Sequence, residues 1–85
     1  MIQERKVHEN VELIRVAKGV TKKYIADKLG LSLQGYRHIG NGAVSLDVER
    51  LKIIADALGE DVKIFFKSEL TDEVINRINN SIHNK

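Results

Sequence analysis

An all-α fold is predicted for this 85-residue chain by three features of its sequence. Apolar residues recur at helical spacing in successive segments, glycines close those segments, and aromatic residues make up only 5% of the chain, which favours an aliphatic helical core. The length suits a single domain, which buries only about 60% of its unfolded surface and is expected to be modestly stable.

Residues 5–18 are predicted to form a first helix, with Val7, Val11, Ile14 and Ala17 on one face and Gly19 as its stop. Thr21 is the expected N-cap of a second helix, in which Ile25, Ala26 and Leu29 form an apolar stripe opposite Lys22, Lys23, Asp27 and Lys28. Gly30 tolerates positive φ and ends that helix, and Leu31 follows it as a hydrophobic plug. A third helix is expected over residues 33–39, capped by Ser32, with Tyr36 and Ile39 inward. Its opposite face carries Gln34, Arg37, His38 and Asn41 at i, i+3, i+4 and i+7, with no carboxylate among them. Gly35 inside it costs about 1 kcal/mol relative to alanine and admits either a groove wall or a neighbouring helix.

Ser45 is the expected cap of a fourth helix, with Asp47 and Glu49 in its first turn. Val48, Leu51, Ile54, Ala55 and Leu58 mark its buried face, and Gly59 terminates it. Residues 61–67 read two ways: Val62, Ile64 and Phe66 alternate as in a strand, whereas Val62, Phe65 and Phe66 fit one turn of helix. Both phenylalanines of the chain lie here, so the segment is expected to cover something apolar. Thr71 is the expected cap of a last helix, with Asp72 and Glu73 behind it and Val74, Ile75, Ile78 and Ile82 as its stripe. His83 and the asparagine-rich end are expected to fray.

The net charge of +2 conceals an asymmetry. Residues 1–45 carry eight Lys or Arg against four Asp or Glu, and residues 46–85 carry six against eight. The basic half is where a polyanion would dock. The absence of cysteine removes disulfides and thiolate metal sites, no apolar run approaches a membrane span, and the first residues lack a signal-peptide core. The three histidines, at 8, 38 and 83, are scattered, and no glycine-rich loop follows a strand, so no catalytic site, cofactor or metal is expected.

Two short helices joined by a glycine-containing turn make a helix-turn-helix, whose second helix enters the major groove. The stretch from Thr21 to Gly42 resembles the DNA-binding unit of the Cro and phage-repressor family, the XRE-type regulators. The likeness rests on Ala26 between the helices, Gly30 in the turn, Tyr36 and Ile39 in the second helix, and Asn41-Gly42 after it. It extends from about Asn10 to about Phe66. The resemblance implies a compact four- to five-helix domain over residues 1–67, with residues 68–85 added as a C-terminal amphipathic helix. It also favours a short helix over a strand at 61–67.

The same resemblance implies double-stranded DNA as partner, a dimer on a two-fold operator, and a cytoplasmic protein of bacterial or phage origin. Family base readers map onto Leu33, Gln34 and His38, with Arg37 on the same side. Gln34 suits adenine N6 and N7, Leu33 a thymine methyl, and Arg37 a guanine edge or a phosphate. Phosphate contacts map onto Lys22, Lys23, Arg15 and Asn41. The family arginine at position 15 usually pairs with a glutamate at the end of the recognition helix, where this chain has Gly40; Arg15 is then free for a phosphate or bonded to a carbonyl. A competing expectation is an antitoxin-like or adaptor module whose Phe65, Phe66 and last helix bind another polypeptide, with DNA binding secondary. The last helix is expected to serve a dimer or a partner, the alternative being docking onto its own domain.

Overall fold

A computed structural model describes residues 4–83. Five α-helices and one 3-10 turn follow in order: α1 (Val7–Ala17), α2 (Lys22–Leu29), α3 (Leu33–Gly40), α4 (Val48–Leu58), the 3-10 turn Val62–Phe65, and α5 (Ser68–His83). The all-α architecture is the Cro/phage-repressor-like one that the sequence implies.

The helix-turn-helix boundaries are set by local chemistry. Thr21 accepts the Tyr24 amide at 3.0 Å and Ser32 accepts the Gly35 amide at 3.0 Å, so each helix has one otherwise free N–H satisfied by its cap. Between them Gly30 adopts φ 70°, and the chain reverses with Leu31 N–H bonded to Ala26 O at 2.9 Å. Leu31 then packs against the core beside α2. Ile25, Ala26, Tyr36 and Ile39 are buried and meet Val11 and Ile14 of α1 and Leu51, Ile54, Ala55 and Leu58 of α4 in one cluster.

Three boundary expectations are corrected. The cap of α4 is Asp47, whose carboxylate accepts the Arg50 amide at 2.8 Å, and not Ser45. The first residue after that cap, Val48, points outward at 60% exposure, so the buried stripe starts at Leu51. The last helix begins at Ser68, which places Thr71 inside it, fully buried, with its hydroxyl donating to Ile64 O at 2.6 Å.

Residues 61–67 hold the short helix that the resemblance favours, wound as a 3-10 turn over Val62–Phe65 and not as α-helix. Asp61 accepts the Lys63 amide at 2.9 Å and opens the 3-10 turn. The carbonyls such a short turn leaves free are then taken from both sides: Asn10 of α1 donates its amide to Phe65 O at 3.0 Å, and Thr71 of α5 bonds Ile64 O. Ile64 and Phe65 are buried, whereas Phe66 is 51% exposed, so only one of the two phenylalanines covers the core.

α5 docks onto its own domain. Val74 joins the core, and Ile75 and Ile78 pack beside it. At one end Arg5 bonds Asp72 at 2.7 Å and, through its backbone N–H, Ser68 Oγ at 2.7 Å. At the other end Glu60, nearly buried, receives Lys18 at 2.6 Å and Arg77 at 2.7 Å, which joins the ends of α1 and α4 to the middle of α5. The Ile82 and His83 side chains and residues 84 and 85, for which a stripe position and fraying are expected, lie outside the described part.

Candidate nucleic-acid interface

α3 is an eight-residue helix with a sharply divided surface. Tyr36 and Ile39 fix it in the core, while Gln34, Arg37 and His38 stand exposed on the other side. Gln34 and His38, one turn apart, meet through Nε2 atoms at 3.1 Å, so their edges are held side by side. Leu33 is half-buried at the start of the helix. Gly35 admits no neighbouring helix: a Cβ there would touch only Ser32 and Leu31, at 3.4 Å and beyond.

Beyond α3 the chain folds back on the helix end. Asn41 Oδ1 accepts the Ala43 amide at 3.0 Å, and Val44 N–H bonds His38 O at 3.1 Å. The loop therefore presents Asn41 and Gly42 to solvent next to the exposed face of α3. Lys22 and Lys23 occupy the first turn of α2, where a cation opposes the helix dipole. Lys23 is exposed and paired with Asp27 at 2.9 Å one turn later. Lys22 is half-buried, and its charge reaches Glu12 of α1.

Arg15 takes the carbonyl and a carboxylate besides. Its guanidinium makes two bonds to Glu12, Nε to Oε2 at 3.0 Å and Nη2 to Oε1 at 2.9 Å, and a third from Nη1 to Val20 O at 2.7 Å. It is bonded to a carbonyl, as one of the two expectations had it, and is also paired through two bonds with a carboxylate. The carboxylate comes from α1 itself and occupies the space beside Gly40: a Cβ on Gly40 would lie 3.2 Å from Glu12 Cδ. The ion pair that the Gly40 position seemed to delete is thus rebuilt from another helix.

Tyr36 completes this group by donating its hydroxyl to Glu12 Oε2 at 2.5 Å. Burial alone would raise the Glu12 pKa, but bonds from Arg15 and Tyr36, with the charges of Arg15 and Lys22, outweigh it and leave the carboxyl lowered. Burial and the bond to Glu12 push the Tyr36 phenol up, which keeps it a donor. Glu12 went unread in the sequence, although its position three residues before Arg15 on one helix face was the available signal. His8 was also missed: its ring lies against Gly42, 34 positions away, and no local pattern announces such a contact.

A paired-helix unit with a buried inner face, a polar outer face and a basic flank defines a helix-turn-helix DNA-binding protein. Residues 11–65 match the helix-turn-helix family model, and the chain belongs to this family, the XRE/Cro type of transcription regulators. Comparison with curated proteins and with solved structures gives no significant match. α5 lies beyond the matched residues. No described helix is long and apolar enough to cross a membrane.

Proposed function

We propose that this chain is a sequence-specific repressor of the small prophage or plasmid kind, acting as a homodimer on a two-fold operator. The observation that carries the reading is the outer face of α3, where Gln34, Arg37 and His38 are exposed together while Tyr36 and Ile39 anchor the helix. On duplex DNA the Gln34–His38 contact is exchanged for base edges. Gln34 then takes adenine N6 and N7, worth about 1–3 kcal/mol of discrimination, with Leu33 against a thymine methyl and Arg37 on guanine or phosphate. Lys22, Lys23 and Asn41 hold phosphates and set the register. In a dimer the two α3 helices occupy successive major grooves about 34 Å apart, and repression follows from occluding polymerase. The reading assigns no catalytic group, cofactor or metal and treats the chain as a binding protein.

Selection of binding sites from random duplexes tests specificity, symmetry and half-site spacing together. On the selected duplex Gln34→Ala should relax preference at one position of each half-site, whereas Lys22→Ala should weaken all sequences alike and lower the salt slope by about one per subunit. Recovery of no preferred sequence would overturn the reading. The second reading, an antitoxin-like or adaptor module, is favoured by one observation, the exposed Phe66 between the core and α5. Capture of one stoichiometric protein partner, lost in Phe66→Ala, together with no duplex preference, would select it.

A further inference from the structure

We propose that Lys6, His8 and the loop from Gly42 to Ser45 form an additional site for a DNA backbone phosphate, extending the contact surface past the end of α3 onto the start of α1. The inference rests on the DNA-binding reading above.

A cavity of about 350 Å³ opens between these two segments, and Lys6, His8, Gly42 and Ser45 line it together with Val7, Val44 and Leu46. The imidazole of His8 lies directly on the Gly42 backbone. A Cβ on Gly42 would fall 2.6 Å from His8 Cε1 and 2.7 Å from Nε2, and Gly42 has φ +83°, so a side chain is barred here by both space and backbone. The ring is held against the loop by this close approach. Among the described residues, no hydrogen bond occupies either His8 ring nitrogen and no carboxylate pairs with the Lys6 ammonium. The cavity therefore gathers a cation, an imidazole edge and the Ser45 hydroxyl, a donor set suited to phosphate oxygens.

The neighbouring carboxylates are engaged elsewhere. Glu9 accepts the Lys6 backbone N–H at 2.9 Å, Asp47 caps α4, and Glu4 accepts both the N–H and the hydroxyl of Ser68. None of the three lines the cavity. Its position also fits a nucleic-acid contact. The loop is stitched to the exposed helix by the Val44–His38 bond, and Asn41 precedes Gly42 directly. A phosphate held at Asn41 is therefore one residue along the chain from the cavity lining.

The test measures Kd against salt for the full chain and three variants, Lys6→Gln, His8→Phe and Lys22→Gln, on the best selected duplex and on a single-base variant of it. His8→Phe keeps a ring on Gly42 and removes its nitrogens. Lys6→Gln should lower the salt slope by about one per subunit, so that a rise from 50 to 200 mM salt weakens the dimer about tenfold less than wild type. His8→Phe should raise Kd equally on both duplexes and leave their ranking unchanged, with a wild-type thermal melt. A wild-type slope in Lys6→Gln beside a reduced slope in Lys22→Gln overturns this site and leaves the DNA-binding reading standing. A changed ranking in His8→Phe also overturns it, because a phosphate holder carries no sequence preference. Failure of the wild-type chain to prefer any duplex removes the reading and the site together.

Discussion

The Glu12 carboxylate accepts two bonds from Arg15 and one from Tyr36, and so fastens α1 to α3 by groups that are themselves out of the water. Removing the phenolic donor in Tyr36→Phe leaves that carboxylate short of a partner and should cost about 1.5–3 kcal/mol, measurable by urea denaturation. Because Tyr36 lies behind the exposed face, the order of preferred duplexes should not change. Glu12 also imposes a pH dependence. Its pKa is lowered on folding, so its stabilisation is fully present above the usual glutamate value of about 4.3 and is lost as pH falls through the lowered folded value. Melting midpoints followed into acid should therefore drop more steeply for wild type than for Glu12→Gln, with the gap between them narrowing at the lowest pH. The pairing of Arg15 was only partly legible beforehand. Its need for a carboxylate and the glycine at position 40 were both in the sequence, but the space that Gly40 leaves for Glu12 exists only once α1 lies across α3.

Helix starts governed by a single cap were readable, and those with competing caps or tertiary support were not. Thr21 and Ser32 each stand alone before an apolar stripe, and both cap as expected. Before α4, Ser45 and Asp47 are equally good cap types two residues apart, and local chemistry does not choose between them. At residues 61–67 the short helix was legible, but its 3-10 winding was not, since its carbonyls depend on Asn10 and Thr71 from two other helices. Glycines within and after α3 differ in the same way. A methyl on Gly35 meets only ordinary contacts, so Gly35→Ala should stabilise the fold by roughly 0.5–1 kcal/mol in thermal or chemical melts. Gly42→Ala should destabilise it, because the backbone is left-handed there and His8 would have to move.

At the scale of the molecule, the family match ends at residue 65, yet the core continues into α5 through Val74, with Ser68 and Thr71 buried at the same junction. The sequence showed that a last amphipathic helix exists. It did not show where the stripe would go, because an apolar face suits a second chain as well as its own domain. A chain stopped after Lys67 should lose the ion pairs of Arg5 and Glu60 to α5 and remove Val74 from the core cluster that holds Phe65. Its calorimetric melt is expected to be broad or absent, whereas a helix serving only a partner would leave the transition sharp. The mixed polar face of α5, with Glu73, Asn76, Arg77 and Asn80, stays outside the core.

The grip of Arg5 on Ser68 and Asp72 also bears on the timing of synthesis. Arg5 waits for a stretch translated more than sixty positions later, with separations of 63 and 67 along the sequence. Until that stretch is free to fold, Arg5 lacks Ser68 and Asp72, and Ile64 O lacks the Thr71 hydroxyl. A polypeptide cut short before Ser68 therefore cannot complete this join.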